Sequence, residues 1–243
     1  FKTNEKKNYV CGIMRLMGSS TGNLLVDNYA TLDKLFAGSE LLIATHCEDE
    51  STIRHNLRHY QSLNRTLVPA DHPLIRDEEA CYKSSALAVQ LAKKHGTRLH
   101  VFHLSTEKEM ELFTNLIPQA EKKITAEVCV HHLHFTSGDY ERLGNLIKCN
   151  PAIKAAHNRE ALWEALLDDR LDLIATDHAP HTLQEKGYSR KADGRLEKLE
   201  GEAGSYIKAH AGLPLVQHSL LLMLHYVKQG KISLEKVVEK MSH

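Results

Sequence analysis

Five short apolar runs separated by amphipathic stretches constrain this chain more than any other feature of it. The runs fall at residues 10–17, 41–45, 98–104, 124–130 and 171–176. Parallel strands cannot be joined by tight turns, so apolar runs that alternate with helix-period segments read as βα units of a parallel sheet. Helices are expected at 77–95, 107–116 and 158–167, and two more at 214–229 and 233–241. In the first of these, Ala80, Ser84, Leu87, Ala88 and Leu91 recur on one face, and Gly96 ends the pattern. Segment 182–209 is rich in Lys, Glu and Gly with few apolar residues. It reads as a mobile active-site loop rather than a core element. Residues 1–243 read as one domain, with too few strands to close an eight-stranded barrel.

Charge selects no macromolecular partner. Lys plus Arg and Asp plus Glu both number 31, so no net field draws the chain to nucleic acid or to an anionic membrane surface. The expected partner is a small-molecule substrate, and a homo-oligomer is compatible with the pattern. The five cysteines (Cys11, Cys47, Cys81, Cys129 and Cys149) include no CxxC pair, which suits free thiols in a reducing compartment, the cytoplasm. No apolar stretch approaches the roughly 20 residues that span a bilayer, and no signal peptide is evident. The chain begins at Phe1 and stops at His243 while a helical pattern is still running, which reads as a piece of a longer protein.

Chemistry concentrates at strand ends, as it does at the C-terminal rim of parallel barrels. Leu173-Ile174-Ala175-Thr176 ends in Asp177-His178-Ala179-Pro180-His181, and Pro180 stiffens the exit. Leu42-Ile43-Ala44-Thr45 ends in His46-Cys47-Glu48, and Leu99-His100-Val101-Phe102 ends in His103. Two imidazoles and a carboxylate suit zinc, with positions left open for water and substrate. Among the other histidines, His100 reads as packing. His131-His132, after Glu127-Val128-Cys129-Val130, read either as groups that orient ligands or as a polar strand exit. Alternation turns Cys47 away from a metal beside His46.

The blocks Gly18-Ser19-Ser20-Thr21-Gly22-Asn23, Thr45-His46-Cys47-Glu48, His103-Leu104-Ser105-Thr106, Glu127 to Leu133, Cys149-Asn150-Pro151-Ala152, Ile174 to His181 and Gly212 to His218 occur in this order along the chain. Together they resemble the dihydroorotases of the amidohydrolase superfamily. The resemblance implies an α/β fold, an incomplete (β/α)8 TIM-type barrel of a metal-dependent amidohydrolase, represented by about strands 4 to 8. It also implies interconversion of N-carbamoyl-L-aspartate and L-dihydroorotate in pyrimidine biosynthesis. By residue-by-residue carry-over, His46 and His103 bind one zinc, while Asp177 binds the other and acts as general acid/base. Asn150 and His181 contact substrate, and the backbone at Ala211-Gly212 approaches its ring.

The chain departs from that pattern in two places. Nothing in it matches the family's first-strand His-x-His pair and the arginine that follows, and residues 1–9 match the helix before the fourth strand. The lysine that is carboxylated to bridge two metals is replaced by Met14, followed by Arg15. A thioether cannot form a carbamate, so one zinc ion or two remain alternatives. These departures imply an inactive isolated chain. They leave two further readings open: an allantoinase- or dihydropyrimidinase-type hydrolase, or a non-catalytic homologue that serves as a scaffold or binds a partner such as a transcarbamoylase.

Overall fold

The computed structural model describes residues 11–17 and 28–242. The expectations for residues 1–10 and for the block Gly18 to Asn23 lie outside these described residues. Five strands, β1 (Gly12–Leu16), β2 (Leu42–His46), β3 (Leu99–Val101), β4 (Ile124–Cys129) and β5 (Leu173–Ala175), pair in chain order, each parallel to the next. The crossovers hold α1 (Tyr29–Gly38), then α2 (Glu50–Gln61), α3 (His72–Ile75) and α4 (Glu78–His95). Between β4 and β5 lie α5 (Val130–His134), α6 (Tyr140–Leu143) and α7 (Ala156–Leu167). An antiparallel hairpin, β6 (Tyr188–Arg190) and β7 (Leu196–Lys198), then leads to α8 (Ser219–Lys228) and α9 (Leu234–Ser242).

Alternation along the strands gives the sheet two chemically different faces. Ile43, Leu99, Val101, Ala126, Val128 and Ile174 join a core that also takes Leu32 and Phe36 of α1 and Ala88 and Leu91 of α4. The opposite face carries Ala44 and His46, His100, Thr125, Glu127 and Cys129, in register across the pairs Ala44↔His100 and His100↔Thr125. Met14 pairs with Ala44 on that same face and is 64% exposed.

Helix α4 forms where its sequence pattern places it. Asp77 caps it by accepting from the Ala80 amide at 2.8 Å, Glu78 and Glu79 favour its positive end, and Lys93, Lys94 and His95 favour its negative end. Gly96 ends it at φ 68°, in the left-handed region that glycine enters without strain. The helix expected at 107–116 is instead a 3-10 turn, Lys108–Leu112. The buried Glu109 carboxylate turns back to the Ser105 amide and the Thr106 hydroxyl, and Phe113 is extended and buried. Segment 182–209 is a hairpin with a following 3-10 turn rather than a bare loop. Helix α8 starts at Ser219, five residues after the expected position, because residues 211–218 bond to the β5 exit first.

The base of β4 and β5 is joined by a buried ion pair. Lys122 reaches Asp172 at 2.7 Å with side-chain exposures of 3% and 1%. The second Asp172 oxygen accepts from the Ala126 amide at 2.8 Å. Lys122→Met strands that carboxylate away from water, and should cost about 3–5 kcal/mol in urea denaturation. Adding Asp172→Asn to the same chain should recover most of the loss, and an additive double variant would contradict the pairing.

Candidate metal and substrate site

His46 ends β2 and His103 follows β3, so adjacent parallel strands deliver the two imidazoles to one rim. His46 Nδ1 and His103 Nε2 face each other at 2.9 Å. On its other side, His46 Nε2 lies 3.0 Å from Glu48 Oε2, and that oxygen also accepts from Arg76 Nη1 at 2.5 Å. Glu48 is fully buried. Burial alone would raise its pKa, but the Arg76 charge and the His46 hydrogen bond outweigh it and hold the carboxyl well below the usual carboxylate range. A carboxylate on one ring nitrogen leaves the other as the basic one, which is how ligating histidines are oriented. Burial pushes protonation of His103 well below the ordinary imidazole range, with the neighbouring His46 adding to it. The facing pair fits a shared cation. Two imidazoles on one zinc stand about 3.3 Å apart for bonds of about 2.0 Å, a few tenths of an ångström from the spacing seen.

Two of the candidate residues have unusual backbones. His103 (φ 35°) and Asp177 (φ 46°) are non-glycine residues with positive φ, a conformation that costs energy and concentrates at functional sites. Asp177 is exposed at the rim. Its carboxyl nevertheless lies over enough protein that desolvation raises its pKa, with His46 opposing and Glu127 reinforcing the shift. Among the described residues, two groups of three ligand-type side chains have donor atoms within 4.8 Å of one another: Cys129 with His131 and His132, and His181 with Glu185 and His210. Asp177 is in neither, so the structure brings His46 and His103 together and leaves Asp177 beside them rather than in one tight triad.

His100 is not apolar packing. Its Nε2 lies 3.0 Å from Glu127 Oε2 and its Nδ1 2.8 Å from Thr125 Oγ1, while Glu127 Oε1 accepts from the His103 amide at 3.3 Å. These groups tie β3 to β4 directly beneath the rim. The buried Cys47 thiol donates to Thr45 Oγ1 at 3.2 Å, and burial pushes its pKa up to about 12, far from a reactive thiolate.

Asn150, His181 and Ala211 line one cavity of about 980 Å³, together with Arg76, Lys148 and His210. The buried Asn150 Oδ1 has no hydrogen-bond partner. His181 Nε2 donates to the Ala211 carbonyl at 3.2 Å. Gly212 sits at φ 144° where a Cβ would stand 2.5 Å from the Ala179 carbonyl oxygen, so only glycine lets this strip lie against the β5 exit. Two buried lysines hold the strip. Lys186 donates to the carbonyls of Lys148, His210 and Gly212 at 2.9–3.0 Å, and Lys148 donates to those of Tyr206 and Ala209.

Sequence reasoning named the histidines and missed what holds them. Glu48 was visible as an acid two residues past His46. Nothing in sequence linked it to Arg76, 28 positions away. Lys148 and Lys186 were not singled out by any sequence pattern.

No protein-family model matches the chain. Against curated proteins it is similar to the dihydroorotase of Halalkalibacterium halodurans, 31% identical over 201 residues, which are 82% of this chain and 42% of that protein. The dihydroorotase of Thermococcus kodakarensis is 31% identical over 225 residues, 93% of this chain and 44% of the relative. The chain thus spans less than half the length of the curated relatives it matches. Among solved structures, the L-hydantoinase (dihydropyrimidinase) from Arthrobacter aurescens superposes with TM-score 0.82 at 23% identity, covering 97% of this chain and 50% of that one. The dihydroorotase from Saccharomyces cerevisiae in complex with 5-fluoroorotic acid gives TM-score 0.68 at 14% identity, covering 98% and 59%. These structural likenesses fix the fold as α/β, an incomplete TIM-type barrel.

The lysine clamp has a signature in pH. Burial lowers both lysines from 10.5 to about 8, helped at Lys148 by Lys186 and Arg76. Between those pH values the unfolded chain binds more protons than the folded one, so each lysine makes stability rise with pH across the window. Buried thiols pull the other way there, so the informative quantity is the difference from Lys186→Met. That difference should move in favour of the parent by on the order of 3 kcal/mol from pH 8 to 10.5, read by urea denaturation at each pH. A flat difference would remove the clamp.

Proposed function

Because this chain is a homologue of the dihydroorotases, within the amidohydrolase superfamily, over most of its own length, we propose that its strand rim carries part of a zinc-dependent site for cyclic amides. The reaction is the interconversion of N-carbamoyl-L-aspartate and L-dihydroorotate in pyrimidine biosynthesis. The observation that carries this reading is the pair of histidine nitrogens facing each other at 2.9 Å on adjacent strand ends. Bound there, a zinc ion supplies Lewis-acid polarisation of the amide carbonyl and a more acidic water.

The rest of the chemistry falls to the chain's own groups. Glu48, clamped by Arg76, orients His46 so that Nδ1 stays aimed at His103. Asp177 stands at the mouth of β5 to take up and return the proton that moves between attacking water and ring nitrogen. Asn150 offers an unpaired oxygen to a substrate N–H. Arg76 and Lys148, on the cavity wall, serve Glu48 and the Tyr206 and Ala209 carbonyls, and the strip at Ala211 and Gly212 approaches the ring. The sequence relatives favour this substrate over allantoin or dihydrouracil, since the hydantoinase likeness is one of fold.

Met14 supports a second clause of the proposal. It lies on the face that carries His46, where a bridging lysine would be expected, so the reaction site holds one zinc, at His46 and His103, rather than a bridged pair. No segment matches the His-x-His pair, so the chain alone turns over no substrate. The non-catalytic scaffold remains the competing reading, and metal separates the two.

The 243-residue chain should lose one equivalent of zinc on His46→Ala with His103→Ala, by elemental analysis after gel filtration. An unchanged metal content overturns the site and favours the scaffold. Carbamoyl aspartate, dihydroorotate, allantoin and dihydrouracil assayed side by side should all stay unconverted. Turnover of dihydroorotate would refute inactivity alone, whereas turnover of either of the last two would refute the substrate. Separately, Glu48→Gln should weaken zinc binding about 10–100-fold in chelator competition, an effect that a merely packed Glu48 would not give.

A further inference from the structure

A different donor set lies one strand away from the pair just described. Strand β4 runs into α5 with no loop between them, so Cys129, at the strand end, and His131 and His132, in the first turn, are thrown onto one spot. The three are 0%, 1% and 3% exposed. Their donor atoms all lie within 4.8 Å of one another, and the two imidazole rings stand 4.2 Å apart between centroids.

Hydrogen bonding does not explain this cluster. Both ring nitrogens of His131 and Nδ1 of His132 are buried with no partner. Each such orphan costs about 1–3 kcal/mol, so three of them together are expensive. The fourth nitrogen is informative. His132 Nε2 lies 3.1 Å from the Pro151 carbonyl oxygen, and a carbonyl can only accept, so Nε2 carries the proton and Nδ1 presents its lone pair. A backbone carbonyl behind an imidazole is the arrangement that fixes the tautomer of a metal-ligating histidine.

We propose that Cys129, His131 and His132 form a second metal site, for a zinc-type divalent ion held by one thiolate and two neutral imidazoles. One sulfur and two nitrogens suit zinc, which takes sulfur at about 2.3 Å and nitrogen at about 2.0 Å. The donors need only draw together by about an ångström. Binding replaces the thiol proton: the S–H bond breaks, the sulfur pair goes to the metal, and one proton leaves to solvent. Burial holds His131 neutral down to about pH 3, while it raises the uncomplexed Cys129 thiol, whose proton the metal has to displace. The site satisfies two of the three orphaned nitrogens and staples the end of β4 to α5, next to the rim but through residues that the proposed reaction does not use.

Cobalt is the probe, because it substitutes for zinc and shows a sulfur-to-metal charge-transfer band only when a thiolate binds it. The metal-free chain, titrated with cobalt chloride, should develop that near-ultraviolet band, and zinc chloride should bleach it. The band should survive in the His46→Ala, His103→Ala variant, which separates this site from the histidine pair above. It should disappear in Cys129→Ser and persist in Cys149→Ser, the control for the neighbouring thiol. His132→Gln serves as a second variant if Cys129→Ser fails to fold by circular dichroism, and it should weaken cobalt binding at least ten-fold. No band in the parent chain, or a band that survives loss of Cys129 or full affinity without His132, overturns the proposal.

Discussion

A carboxylate that sees no water at all sets the geometry of the rim. Glu48 can remain ionised at 0% exposure only because Arg76 and His46 share one of its oxygens, and breaking such a buried pair typically costs several kcal/mol. The constraint reaches well beyond the three residues. Arg76 immediately precedes Asp77, which caps α4, and Asn56 of α2 donates to both the Ile75 carbonyl and the Asp77 carboxylate. Helices α2 and α4 are therefore referenced to the same point as the His46 ring. A shift in either helix would move Arg76 away from Glu48, and the imidazole with it.

The sheet explains why polar groups gather where they do. Its helix-facing side takes the branched and small apolar residues, and the other side takes His46, His100, Glu127 and Cys129 in register. A polar network on that face is tolerable because its members satisfy one another: Glu127 serves the His100 ring and the His103 amide at once. The exceptions are then conspicuous. His131 and His132 sit at the edge of this network with nitrogens that nothing in the protein serves, which is why they point to a ligand rather than to packing.

Much of the fold was legible because it depends on local pattern. The βα alternation, the cap and stop of α4, and the strand ends bearing His46 and His103 all follow from period, capping residues and rim position. What was not legible depends on pairs far apart in sequence. The 107–116 stretch has helical period, yet Glu109 finds Ser85, Ser105 and Thr106 and the helix gives way to a single 3-10 turn. Segment 182–209 has the composition of a mobile loop, yet Lys186 within it is buried on three carbonyls. Composition misleads there because a lysine's long stem buries well while its head finds backbone oxygens. Asp177 was legible as a residue type. Its offset from the two histidines was not, since a left-handed φ at that position leaves no trace in hydrophobic period.

That left-handed turn connects the lysine clamp to the proposed chemistry. After Asp177 the chain runs back along the Gly212 strip: the Ala179 amide donates to the Leu213 carbonyl, the Leu215 and Val216 amides donate to His178 Nδ1, and His181 donates to Ala211. Lys186 holds the same strip through the Gly212 carbonyl, and the Gly212 amide donates to Lys148. The direction in which Asp177 leaves β5 is thus set by two lysine ammonium groups on the far side of the strip and by the missing side chain of Gly212. Lys148, Asn150, His181 and Ala211 share one cavity wall. The strip that forms it is bonded through Leu213 and Ala211 to Ala179 and His181, so this wall and the segment that follows Asp177 are held to one another.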